Sequence, residues 1–174
     1  MFDQKFDFYD KTYLKSYNLD DAIQYQLNLL DSLDVYTRKH CESVAAITCN
    51  LCKKLHLSNG FTEYCTICAY LHDIGNCVNR TDHAHSGAIM AYNILKEMEM
   101  PVDERTEIMM AIGNHDENTG TAISDISAAL ILADKSDVHR DRVVNKNLST
   151  FDIHDRVNYA VTNAELEIDE KERK

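Results

Sequence analysis

His72 and Asp73 stand side by side in Cys68-Ala-Tyr-Leu-His72-Asp73-Ile-Gly75-Asn76, at the end of an apolar run with helical character. Adjacent imidazole and carboxylate groups offer a nitrogen and an oxygen to a cation. Gly75 suits the turn that follows, because glycine accepts positive φ and lets the backbone leave the helix. His40 lies upstream in Tyr36-Thr-Arg-Lys-His40-Cys-Glu-Ser-Val. His83-Ala-His85-Ser-Gly87-Ala and Gly113-Asn-His115-Asp116-Glu117 follow, and Asp134 stands in Leu130-Ile-Leu-Ala-Asp134-Lys135-Ser-Asp137. The order His … His-Asp … His … His … Asp supplies ligands for one or two divalent metals. Two metals suit the hydrolysis of a phosphate ester or anhydride. They stabilise charge on the transferring phosphoryl group and acidify a bridging water, so that metal-activated hydroxide attacks near neutral pH. Mn²⁺, Fe²⁺, Co²⁺, Ni²⁺ and Zn²⁺ all accept such ligands, and the ligand types do not select among them.

These groups are far apart in the chain, so helices must gather them. His40, Val44, Ile47, Leu51 and Leu55 recur at helical spacing and predict a helix over 35–56 with one inward stripe. A histidine on such a stripe is either a ligand or a packed core imidazole, and the later motifs favour the ligand. Asn18 or Asp20 is placed to cap a helix over 20–33, with Ile23, Leu27 and Leu30 on one face. Ser58-Asn59-Gly60 divides the long helix from another over 61–73. Residues 76–82 are polar, carry Arg80, and are expected to form a loop at the mouth of the site. A helix is expected over 83–98, with Ile89, Met90, Tyr92 and Ile94 packed inward. Pro101-Val-Asp103 starts one that ends near 113. Another covers 123–135, with Ser124 or Asp125 in its first turn.

The two ends differ from the middle. Residues 1–19 hold Phe2, Phe6, Phe8, Tyr9, Tyr13 and Tyr17 and read as an arm docked on the core, since a mobile tail would leave the rings in water. Residues 158–168 alternate in parts and include β-formers, so they are expected either as a strand or as a helix reaching about 165. A strand would need a partner, in the arm or in another subunit. The last charged residues, 169–174, are expected to fray.

Composition narrows the function. A chain of 174 residues with 44% hydrophobic content builds one globular domain. A formal net charge of −11 argues against nucleic acid as partner. A small phosphorylated substrate remains compatible, since divalent cations reverse the local field. No apolar run reaches bilayer length and the first residues lack a signal-peptide pattern, so the expectation is a cytoplasmic protein with no membrane partner. Cys49-Asn-Leu-Cys52 and Cys65-Thr-Ile-Cys68 have the spacing of a four-cysteine zinc site. Both lie inside helical patterns, where residues three apart share a face, so buried reduced thiols are the preferred reading.

The five spaced elements resemble the HD-domain superfamily of metal-dependent phosphohydrolases, over about residues 20–145. The resemblance implies an all-α helical bundle, here with the C-terminal β segment as an option. It divides the chain into an arm (1–19), an HD domain (20–145) and an extension (146–174) that packs on the core or on a partner subunit of a homodimer. It also implies that His40, His72, Asp73 and Asp134 hold one metal, while His83 and His115 hold a second that Asp73 bridges. His83 is preferred to His85 because the pattern His-x-x-x-Gly-Ala matches His83 and Gly87. The chain departs from the cyclic-dinucleotide branch, lacking Gly-Tyr-Pro after His115 and carrying Asn76 in place of lysine.

Asp73, His72 and Lys135 form the expected catalytic group, with Lys135 either binding phosphate or pairing with a carboxylate. Arg80, His85 and Arg140 form the expected substrate-binding group, and Arg142 is a further phosphate candidate. Each is also explicable as a surface residue, and for the arginines a solvated surface role is the default. Asp116, Glu117 and Asp137 either orient ligands or are surface acids, and His56, His139 and His154 default to surface or structural roles. The resulting expectation is hydrolysis of a phosphoester or phosphoanhydride in a nucleotide or another small phosphorylated metabolite. The alternatives are a diiron oxygenase and a non-catalytic nucleotide-sensing module.

Overall fold

The computed structural model describes residues 35–169 apart from 119 and 144. The expected arm over 1–19, the helix over 20–33 and the fraying of 170–174 lie outside the described residues. Six α-helices are described: α1 (Val35–Lys54), α2 (Asn59–Leu71), α3 (His83–Glu97), α4 (Val102–Gly113), α5 (Asp125–Ser136) and α6 (Ile153–Ala160). Among the described residues there is no β-strand, and the domain is an all-α bundle.

Local chemistry sets the helix ends. α1 stops before His56, which takes a left-handed φ of 53°, so the helix is shorter than expected. Ser58 caps α2 by accepting a hydrogen bond from the Phe61 amide at 3.2 Å. Ser124 caps α5 in the same way from Ser127. Pro101 precedes α4, whose first turn carries Asp103 and Glu104, acids suited to a helix N-terminus.

α1 packs against α2 and α5, α3 packs against α4, and α2 and α4 both touch α5. Val44, Phe61, Leu71, Ile108, Ile112 and Leu130 lie at the centre of the shared core. On α1 the inward stripe includes His40, Val44 and Leu51, whereas Leu55 lies beyond the helix and is exposed. α3 differs from expectation. Ile89 is exposed, and the buried face consists of Ala84, Gly87, Ala88, Ala91 and Leu95.

Small residues on α3 allow a close backbone approach. A 3-10 turn at Ile74–Cys77 lies directly against the first turns of α3. A Cβ on Gly75 would stand 1.9 Å from the His83 carbonyl oxygen, and one on Gly87 would stand 3.1 Å from the Gly75 nitrogen. No glycine among the described residues has positive φ. Gly75 is therefore required for close approach, and not for the left-handed turn that its place in the sequence suggests.

The C-terminal β option is not realised. Residues 158–160 belong to α6 and 161–169 have no regular secondary structure. The Arg140 amide donates to the Val161 carbonyl and Lys54 donates to the Leu166 carbonyl, but no ladder forms. Leu166 and Ile168 pack on the core. Their alternation reflects one side of an irregular segment lying on helices, which imitates the period of a strand. No described helix is long and apolar enough to cross a membrane.

Candidate metal centre

Helix ends deliver most of the expected ligands to one place. His72 is the C-terminal cap of α2, His83 begins α3, His115 follows the end of α4, and Asp134 lies in the last turn of α5. Three of these are C-terminal ends, where unsatisfied carbonyls favour a cation. His40 comes from within α1.

Two groups of ligand atoms result. His40, His72 and Asp134 form one, and His72, Asp73 and His115 form the other. His40 Nε2 lies 3.3 Å from His72 Nε2 and 3.0 Å from Asp134 Oδ1. His83 Nε2 lies 3.2 Å from His115 Nε2 and 3.3 Å from Asp73 Oδ1. Asp73 divides its oxygens: Oδ2 faces His40 and His72 at 3.8 and 3.7 Å, while Oδ1 faces His83 and His115.

The donor geometry fits divalent ions. Ligands about 2.0–2.1 Å from one ion, at the usual angles, stand about 3.0–3.4 Å apart. The tautomers agree. His72 Nδ1–H donates to Ala69 O at 2.7 Å, His83 to Arg80 O at 3.0 Å and His115 to Ile112 O at 2.6 Å. A carbonyl oxygen only accepts, so each Nδ1 carries a proton, and in the neutral ring each Nε2 offers a lone pair. Lone pairs facing each other at 3.2 Å need a positive charge between them.

Electrostatics follow from burial and proximity. Burial outweighs the pull of Asp73 and Asp134 on His72 and lowers its pKa to about 4, which keeps the imidazole neutral. Burial also opposes charge on His40, but hydrogen bonds to Asp134 and Asp137 prevail and push it up to about 9. A cation arriving at His40 must displace that proton. Burial pulls the Asp73 and Asp134 carboxyls upward, but the surrounding imidazoles hold both well below the usual carboxylate range.

The other candidates lie in varied places. Lys135 Nζ is 2.7 Å from Asp134 Oδ2 and 2.6 Å from Glu117 Oε2, so it pairs with carboxylates beside the centre. Burial opposes its charge, but those two acids overcome this and raise its pKa. Asp116 Oδ2 is 3.9 Å from His83 Nδ1. His85 is 60% exposed and faces Asp82, because two residues along a helix turn the side chain to the other side. Arg80 is exposed, and its carbonyl orients His83. Arg140 donates to Tyr159 O at 3.0 Å and stacks on that ring. His139 bonds Thr162 O, and His154 lies 3.7 Å from Glu117. The carbonyls of Ala69, Arg80 and Ile112 escape a reading of side-chain types, although their spacing of three residues before each histidine is a signal in retrospect.

Cys52, Cys65 and Cys68 are buried and free. Among the described residues no metal-sized group contains a cysteine. His83→Ala is expected to empty mainly the Asp73–His115 side, whereas His85→Ala leaves metal content unchanged. Elemental analysis of both variants checks this, and the reverse result would mean the register of 83–85 is misassigned.

A family model described as "HD domain" matches residues 37–148. A crystal structure of a predicted HD superfamily hydrolase from an uncultured Thermotogales bacterium superposes with a TM-score of 0.60. The two chains are 22% identical, over 82% of this chain and 83% of that one. No curated protein matches the sequence.

Proposed function

The chain belongs to the HD-domain superfamily, and from that premise we propose that it is a metal-dependent phosphohydrolase. Its substrate in this reading is a phosphoester or phosphoanhydride of a nucleotide or another small phosphorylated metabolite. The observation that carries the proposal is Asp73, whose Oδ2 faces His40 and His72 and whose Oδ1 faces His83 and His115. His40, His72, Asp73 and Asp134 would hold one cation, and Asp73, His83 and His115 the other.

When bound, divalent cations neutralise phosphate charge and acidify a water. The chain's own residues supply the rest. His72, His83 and His115 are held by backbone carbonyls in the tautomer that leaves Nε2 free. Lys135 neutralises the outer oxygen of Asp134 and is the cation beside the centre that a substrate phosphate would meet, in exchange for Glu117. Arg80, on the turn that presents His83, is assigned to the substrate side, and His85 would join it only by turning from Asp82. Arg140 would join them only by releasing the Tyr159 carbonyl. Asp82, Asp116 and Glu117 make the surroundings acidic, which disfavours a long polyanion.

A hydrolysis screen of metal-reconstituted protein tests this over nucleotides, dinucleoside polyphosphates and simple phosphomonoesters, with product identification. Release of phosphate or a nucleotide fragment, abolished by chelation, is expected. Protein that holds two ions yet cleaves none of these would overturn the reading.

A further inference from the structure

We infer that Asp137 is a positioning residue for the first cation site and acts through His40. The inference rests on the reading of His40 as a metal ligand. His72, His83 and His115 each donate Nδ1–H to a main-chain carbonyl three residues earlier. The Ala69 and Ile112 carbonyls belong to the last turns of α2 and α4, where the amide four residues on lies outside the helix, and the Ile112 carbonyl takes the His115 amide at 3.3 Å besides the ring. The Arg80 carbonyl lies in the turn before α3. Each of these three histidines therefore finds an acceptor at a helix end.

His40 has no such acceptor. It stands in the second turn of α1, where the carbonyl three residues back already accepts from the amide four residues further on. Its acceptor comes from another element. Asp137 Oδ2 lies 2.7 Å from His40 Nδ1, across 97 residues of sequence. Asp137 immediately follows α5, and its amide donates to Asp134 O. One helix end thus supplies both the carboxylate that faces the cation site and the carboxylate that holds His40. Arg142 fixes Asp137 from the other side, donating to its carbonyl and placing Nε 3.6 Å from Oδ2.

The difference from the other histidines is charge. A carboxylate acceptor on the far nitrogen of a ligating imidazole fixes its ring and raises its basicity more than a neutral carbonyl does. The structure places this device on the Asp134 side of the centre, whereas on the other side Asp116 Oδ2 stands 3.9 Å from His83 Nδ1, beyond hydrogen-bond reach.

The test measures Zn²⁺ and Mn²⁺ stoichiometry and affinity by chelator competition, with the metal-free thermal midpoint as a check on folding. In a His115→Ala background, which leaves the first site, Asp137→Ala is expected to weaken the remaining ion about 10–100-fold. Asp137→Asn, whose amide oxygen still accepts from Nδ1, is expected to recover part of the loss. In a His40→Ala background the same Asp137→Ala change is expected to add nothing, because its route to the metal is already gone. Unchanged affinity in the first background, or an equal loss in the second, would overturn the inference. If Asp137→Ala does not fold, the Asp137→Asn comparison in the two backgrounds decides it. Wild-type protein that binds no ion would instead refute the metal reading, so the two failures are distinguishable.

Discussion

Asp73→Ala is expected to bring hydrolysis to background and to weaken both cation sites together. Asp73 turns Oδ2 toward His40 and His72 and Oδ1 toward His83 and His115. It is also the anion between two would-be dications, so its loss removes a ligand and the charge that offsets their repulsion. The affinity loss should exceed the about 10–100-fold typical of losing a group that only supports a ligand. Elemental analysis and a turnover assay on the same preparation check this. Retention of two tightly held ions would sink the bridging role. Loss of a single ion would mean that Asp73 belongs to one site only.

Chelation is expected to lower the thermal midpoint on the order of 10 °C, and added Mn²⁺, Fe²⁺ or Ni²⁺ to restore it. The candidate ligands come from α1, the end of α2, the start of α3, the end of α4 and the end of α5, so two cations together would reinforce the packing of five elements. An ion at a thousand times its dissociation constant adds about 4 kcal/mol, and each kcal/mol moves the midpoint of a chain this size by about 2–4 °C. The gap between metal-free and loaded protein should also widen with pH. In the metal-free protein His40 has a folded pKa of about 9 against an ordinary 6.5. A raised folded pKa contributes stability that is fully present below about pH 6.5 and lost as the pH rises through about 9. The cation displaces that proton, so its stabilisation grows across the same window. Differential scanning fluorimetry with and without chelator, from pH 6.5 to 9, measures both effects. A protein shown to hold two ions but with one midpoint in both states would mean that the bundle stands without them.

Local periodicity was sufficient for α1 to α5, whereas α6 was not among the helices it marked. The interval between His40, Val44 and Leu51 marks the buried face of α1, and Ser58, Ser124 and Pro101 mark where neighbouring helices begin. These signals are readable because helix period and capping depend on residues within a few positions of each other. The ligand order was readable for a related reason, since the eight histidines are few and their spacing, with Asp73 beside His72, matched a known arrangement. The same local rules misled at three places. Alternation at 166 and 168 imitates a strand where an irregular segment lies on the core. Ile89 is apolar but faces outward, because the close approach of Gly75 and Gly87 requires small residues on the inner face of α3. Gly75 itself serves that contact and has no left-handed φ.

Tertiary structure alone decided how the ligands share their work. The split of the Asp73 oxygens, the pairing of Lys135 with Asp134 and Glu117, and the hydrogen bond from His40 to Asp137 join residues on separate elements. Such contacts depend on how helices cross and where each one ends in space, to within an ångström. A residue's type states which atoms it can offer, and its local period states which face of a helix it occupies. Neither carries the distance to a partner 97 residues away, which only the packed bundle sets.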